Sequence, residues 1–247
     1  MAGVDRSRWI AVLPLAATEQ HGPHLPLDTD VMIAEAYLAR VCELLPNALP
    51  VTFLPVQRIG ISTEHIDFPG TQTLAPEAAF RNWIALGESV ARGGVRKLVI
   101  VTSHGGNSAM MGVVAQELRA HQKMLVVTTA WSRLSAAETL FPAEEVQHGI
   151  HGGAVETSIM LARYASDVRR GAIADFRPST IEMKRNFRWL SAQRPAPFAW
   201  QAQDLHSSGA VGDATLASAE KGQRLIDQGG RAFCELLSEV DRFDLKA

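Results

Sequence analysis

The chain has 247 residues, the length of one domain or of two small ones. Hydrophobic residues make up 47% and charged residues 20%, proportions that exclude a disordered chain. A formal net charge of −2 and a sequence pI near 6.4 provide no global field for nucleic acid or an anionic membrane, and no apolar stretch approaches the roughly 18–20 residues of a membrane span.

In chain order, Arg6 and Arg8 followed by Trp-Ile-Ala-Val-Leu-Pro-Leu-Ala-Ala imitate a short secretory signal. That run leads straight into the most chemical segment of the chain, so it reads as a buried strand over 9–15 in a cytoplasmic, single-domain protein. A polar loop continues to Asp30. The spacing of Val31, Ala34, Leu38, Val41 and Leu45 predicts a helix over about 31–45, stopped by Pro46 and Pro50. A strand over 51–56 and a long loop through Pro69-Gly70 come next. Pro76 opens a helix that Gly93-Gly94 ends near residue 92. The clearest unit is a strand over 97–102, a Ser-His-Gly-Gly-Asn turn, a helix over about 108–121 and a strand over 124–129: a βαβ unit with a right-handed crossover. A helix over about 154–163 follows. Residues 175–208 lack periodicity and read as a long loop, lid or insertion. A last helix over about 215–240 is expected to be interrupted or bent at Gly229-Gly230. Cys42 and Cys234 lie in apolar, helix-like surroundings and read as buried thiols. The alternation of strands and helices argues for an α/β fold with a largely parallel sheet.

Three polar clusters follow predicted strands. Glu19-Gln-His21-Gly-Pro-His24-Leu-Pro-Leu-Asp28-Thr-Asp30 packs three carboxylates and two imidazoles into twelve residues, at the strand end where open α/β sheets place ligands. In an extended backbone Glu19 and His21 leave the same face, and Gly22-Pro23 can turn the chain so that Asp30 returns toward them. Such a set suits a borderline divalent metal such as zinc or manganese. The plainer alternative is a polar loop in which Thr29 or Asp30 caps the next helix. Ser103-His104-Gly105-Gly106-Asn107 precedes a helix; its glycines allow close backbone approach to a ligand, although Asn107 could simply cap that helix. In Gln147-His148-Gly-Ile-His151-Gly-Gly-Ala-Val-Glu156, His151 between glycines is the stronger functional candidate. Glu156 has either a ligand role or a helix-dipole role, and His148 is read as an exposed loop residue. Glu19, His21, Asp30, His104 and Glu156 suffice for two metals, with Asp30 the expected bridge.

These motifs, together with Glu-His-Ile-Asp-Phe-Pro-Gly-Thr at 64–71, resemble the creatininase family of metal-dependent amidohydrolases, from about Ile10 to the 207–222 segment. The resemblance implies a three-layer α/β/α sandwich with a mostly parallel central sheet. It also implies two divalent ions (zinc, manganese or iron), a homo-hexamer, and hydrolysis of a small cyclic or non-peptide amide. By that resemblance Glu19, His21, Asp30 and His104 are ligands, and His151 is the catalytic histidine that protonates the leaving nitrogen. Glu156 completes the coordination beside it. Gly105, Gly106, Asn107, Trp131 and Gln147 fall at substrate-binding positions. Creatinine-hydrolysing members carry a glutamate where this chain has Gly106. They also carry two ring-covering tryptophans; Trp131 matches the first and Gln147 replaces the second. Other branches deformylate a pyrimidine, cleave a peptide during mycofactocin maturation, or open a sugar-derived ring. A metal-holding protein without turnover is the rival from another class, and a peptidase would need an open groove.

No nucleophile elbow, Walker loop or dinucleotide fingerprint follows a strand, and adjacent Ser103 and His104 would point to opposite faces. Lys184, Arg185, Arg188 and Arg194, interleaved with Phe187 and Trp189, form either a solvated loop or a lid that engages a substrate carboxylate or phosphate.

Overall fold

The computed structural model describes residues 6–244. Strands β1 (Ile10–Leu15), β2 (Val51–Phe53), β3 (Lys97–Thr102) and β4 (Leu125–Ala130) form one sheet in the order β2-β1-β3-β4, with every pairing parallel. The register aligns Leu15 with Thr102 and Thr102 with Ala130. The loops leaving three strands therefore start from one edge.

Strand side chains alternate between the faces. Ile10, Val12, Val99 and Val101 face helices α1 (Thr29–Leu44), α5 (Ala154–Arg163) and α8 (Ala219–Arg242). Ala11, Leu13, Leu15, Leu98 and Ile100 face α2 (Pro76–Arg92) and α3 (Ser108–Gln122). Burying each such Leu or Ile contributes about 1.5–3 kcal/mol, so both faces must stay covered and a three-layer sandwich results.

Several expectations are corrected. The second strand ends at Phe53 because Pro55 has no N–H to give, although Leu54 N and Gln57 N still donate to Val12 O and Pro14 O at 2.9 Å. Helix α8 runs unbroken through Gly229-Gly230; a Cβ on Gly229 would come within 2.5 Å of the Tyr37 ring, so the glycines permit close packing on α1. Cys42 is exposed and Cys234 half-buried, because the buried stripe of α1 runs through Tyr37 and Val41 instead. The segment 175–208 is a chain of short elements: β5 (Asp175–Phe176), α6 (Ser179–Asn186), β6 (Leu190–Ser191), β7 (Ala196–Pro197) and α7 (Ala202–Leu205). A short α4 (Ala143–His148) precedes α5, and β8 (Gly212–Asp213) pairs with β5. Among the described residues no helix is long and apolar enough to cross a membrane.

Candidate metal centre

Glu19 and His21 lie just past β1, Asp30 in the first turn of α1, His104 just past β3 and Glu156 in the first turn of α5. Parallel strands that end in register bring these residues together. His21 Nε2 lies 3.7 Å from Asp30 Oδ1 and 3.8 Å from Glu156 Oε2. His104 Nδ1 lies 3.1 Å from Glu19 Oε1 and 3.5 Å from Asp30 Oδ2. The two oxygens of Asp30 thus face two different donor groups. Three groups among the described residues are of ligand type: Glu19, Asp30 and His104; His21, His151 and Glu156; and Glu19, His65 and His151.

The protons on these rings follow from their outer partners. His21 Nδ1 donates to Glu19 O at 3.0 Å and His104 Nε2 to Ile61 O at 2.7 Å, so in the neutral rings the remaining lone pairs face carboxylates. Second-sphere carbonyls hold metal-ligating histidines in this way. Glu19 Oε1, His21 Nε2 and Asp30 Oδ2 are buried without a hydrogen-bond partner, which is costly unless something charged lies among them. Burial alone would lower the imidazolium pKa of His21. Asp30, Glu156 and Glu19 outweigh it and push the value up to about 9. His104 is likewise opposed by burial and raised to about 10 by Glu19, Asp30 and Glu64. Burial raises Asp30, and raises Glu156 to about 7. A buried set of N and O donors that holds protons this firmly fits divalent cations, which would replace those protons.

Glu156 Oε2 faces His21 at 3.8 Å and also accepts from Gly152 N at 2.6 Å, an arrangement compatible with either alternative. Neither Thr29 nor Asp30 caps α1; Thr29 Oγ1 donates to Pro26 O. His151 Nε2 donates to Gln20 O at 2.6 Å, and its Nδ1 lies 3.6 Å from Glu19 Oε1. Burial, then His21 and His65, hold its pKa well below the ordinary value.

The substrate positions are partly corrected. Gly105 and Gly106 line a cavity of about 520 Å³ together with His104, His151 and Glu156. Asn107 does not. Its Oδ1 accepts from Ile61 N and its Nδ2 donates to Ala16 O and Thr102 Oγ1, tying the loop to both strands. Trp131 is buried in the core, stacked on Tyr37 at 4.6 Å and tilted against Phe233, because its position one residue past β4 turns it under the sheet toward α1 and α8. Gln147 sits on the exposed side of α4, accepts from Lys184 Nζ at 2.6 Å and lines an adjoining cavity of about 1190 Å³. His148 is buried against Thr180 rather than exposed.

Two site residues escaped the sequence reading. His65 is buried, with Nε2 3.4 Å from Glu19 Oε1. Glu64 Oε1 lies 3.5 Å from His104 Nε2 and occupies the space beside Gly106, where a Cβ would come within 2.5 Å of it. Their adjacency, an acid and an imidazole just before Phe-Pro-Gly, was the available signal. Ser62 Oγ donates to Glu19 Oε2 from the same loop.

A parallel α/β sandwich gathers buried acids and imidazoles at its carboxyl rim, the setting of a candidate metal site. The creatininase family model, described as creatinine amidohydrolase, matches residues 1–237, and the chain belongs to this family. A mycofactocin precursor peptide peptidase of Mycobacterium tuberculosis (strain ATCC 25618 / H37Rv) is 31% identical over 228 residues, spanning 87% of this chain and 79% of the relative. Creatinine amidohydrolase of Pseudomonas putida is 29% identical over 233 residues, covering 88% and 84%. A manganese creatininase structure superposes with a TM-score of 0.77 at 25% identity, covering 94% of this chain and 91% of the other.

Proposed function

We propose that the protein is a metal-dependent amidohydrolase that holds two divalent cations and cleaves an amide C–N bond in a peptide-like substrate. The observation that carries this reading is the Asp30 carboxylate, with Oδ1 toward His21 and Oδ2 toward His104. His21, Asp30 and Glu156 would hold one ion, and Glu19, Asp30 and His104 the other. Zinc, manganese and iron suit the donors, and the related creatininase is a manganese form. Such a pair supplies Lewis acidity and a water acidified to near neutrality.

The chain's own groups handle the protons. His151 is neutral, with Nε2–H fixed on Gln20 O and the Nδ1 lone pair on the Glu19 side. It can take a proton at Nδ1 from the attacking water and deliver it to the departing nitrogen, which cannot leave as an anion.

The substrate follows from shape. The inner cavity and the larger one are neighbours that share Glu64, Gly105, Gly106, Ile150, Gln193 and Trp200 in their linings, so together they offer more length than one small ring requires. Trp131 lies in the core, where it cannot cover a flat ring, and the peptidase among the relatives acts on a precursor peptide. A small cyclic amide is the second reading: the inner cavity alone accommodates one, and a creatinine amidohydrolase is among the relatives.

The test is turnover of short peptides and of creatinine by zinc- or manganese-loaded protein, with and without chelator. Peptide cleavage that the chelator abolishes is expected. Hydrolysis of creatinine alone would select the second reading. Two bound ions with no turnover of either would leave a binding protein. His151→Ala should keep both ions and lower turnover by about two to four orders of magnitude; unchanged turnover would remove His151 from the chemistry.

A further inference from the structure

Four imidazoles surround one oxygen, Glu19 Oε1: His104 Nδ1 at 3.1 Å, His65 Nε2 at 3.4 Å, His151 Nδ1 at 3.6 Å and His21 Nε2 at 4.0 Å. A backbone carbonyl can only accept a hydrogen bond, so the ring nitrogen that meets one must carry hydrogen. That rule places hydrogen on His104 Nε2, His21 Nδ1 and His151 Nε2, which face Ile61 O, Glu19 O and Gln20 O. All three rings turn their N–H outward and, when neutral, a lone pair inward.

His65 is built the other way round. Its outer nitrogen, Nδ1, meets Gln20 Nε2 at 2.7 Å. The Gln20 amide cannot be turned over, because Oε1 accepts from Gly22 N at 2.8 Å and Nε2 donates to Gly209 O at 3.0 Å. Its two hydrogens are then taken by Gly209 O and His65 Nδ1. None remains for His151 Nε2, 3.2 Å away, which keeps its own hydrogen for the Gln20 carbonyl. His65 Nδ1 is an acceptor, and in the neutral ring the hydrogen sits on Nε2, 3.4 Å from Glu19 Oε1 but not hydrogen-bonded to it. His65 also lines the inner cavity.

We propose that His65 is a further catalytic residue of the hydrolase: a neutral imidazole that Gln20 locks as an Nε2–H donor to the substrate carbonyl oxygen. The assignment deepens the amidohydrolase reading and rests on it. Glu19, His65 and His151 lie close enough together to hold an ion, but a nitrogen carrying hydrogen cannot ligate one, so the Gln20 hydrogen bond is what sets His65 apart from the ligands. What it can do is donate to an oxygen that gains negative charge, without reorganising when the charge appears. Stacking on His151 at 4.1 Å holds the ring plane.

The test has two arms on the full chain loaded with zinc. Two-bond ¹⁵N–¹H correlation spectra of ¹⁵N-labelled protein at neutral pH should show His65 as the Nε2–H tautomer. Gln20→Glu replaces the amide donor with an acceptor and should invert His65 to Nδ1–H. A wild-type His65 found as Nδ1–H, or as a cation, overturns the proposal. In the kinetic arm, His65→Phe keeps a stacking ring without the donor. It should lower kcat by about 10²–10³, the scale for one oxyanion donor, with KM changed only a few-fold and two zinc ions retained. Gln20→Glu should lose a similar factor although His65 is present. Unchanged kcat, or loss of zinc in His65→Phe, overturns the donor role. If Gln20→Glu does not fold, the wild-type spectrum and His65→Phe decide. Wild-type protein that shows Nε2–H but turns over no amide defeats the hydrolase reading and the catalytic role with it; an Nδ1–H spectrum beside normal turnover defeats the His65 assignment alone.

Discussion

The rim at the carboxyl ends of β1 and β3 and the wall facing it across the cavities are made in opposite ways. On the rim, Glu19, His21, Asp30 and His104 are buried, and each imidazole has one nitrogen on a backbone carbonyl. On the wall, Gln147, Gln193, Arg194 and Ala199 are exposed, and their backbone belongs to short elements or loops. The rim imidazoles are therefore oriented by backbone carbonyls, as the proposed ion binding would require. The wall can change side chains without disturbing them, which is where selectivity among amides can diverge.

The largest effect should come from the rim. Asp30→Ala removes the carboxylate whose two oxygens face His21 on one side and His104 on the other. Metal analysis should show both ions lost, and turnover should fall by more than the two to four orders expected for a missing acid–base group. Full occupancy in that variant would break the bridging assignment. Trp131→Ala should act on stability instead, by about 3–5 kcal/mol in denaturant unfolding, with kcat of the folded protein preserved. A raised KM at unchanged stability would move Trp131 back to the substrate.

Protons sharpen the same contrast. His21 and His104 titrate near 6.5 in an unfolded chain but near 9 and 10 in the metal-free fold. Their bound protons stabilise that fold fully below about pH 6.5, and the contribution is lost as pH rises through 9 to 10. A cation must displace them, so metal binding at pH 7.5 should release protons and tighten as pH rises toward that range. Calorimetry in two buffers of different ionisation enthalpy measures the release. Its absence would mean that these two nitrogens are not the ligands.

The same contrast explains what could be read from the chain. The strands β1 and β3 are apolar runs that end in polar motifs, and parallel pairing in register makes those motifs meet, so Glu19, His21, Asp30, His104 and Glu156 were visible as a set. Trp131 was not, because a motif match fixes position along the chain and not the side of the sheet to which a residue turns. His65 was missed for a different reason. Its role depends on a hydrogen bond from Gln20, 45 residues away, and no local pattern records which ring nitrogen carries hydrogen. The segment 175–208 has elements of two to eight residues, too short to show a period of 3.6 and too polar to show burial.

The smallest effect belongs to the wall. Arg133 and Arg194 both line the outer cavity, and among the described residues neither has an ion pair or hydrogen bond. Glu64, at the inner end, is the one carboxylate on that lining. A guanidinium that remains solvated contributes little to stability, so Arg194→Ala should leave unfolding unchanged. Its charge can still attract an anionic group on a peptide reaching outward from the proposed metal centre, with an attraction that salt screens over about 10 Å. Arg194→Ala should therefore lower kcat/KM by less than about tenfold for a peptide carrying a carboxylate beyond the scissile bond, through KM, with the difference shrinking as salt is added. An uncharged peptide of the same length should not distinguish the variant from the parent. Equal losses on both peptides, or a loss in kcat, would tie Arg194 to the shape of the wall and leave charge out of substrate choice.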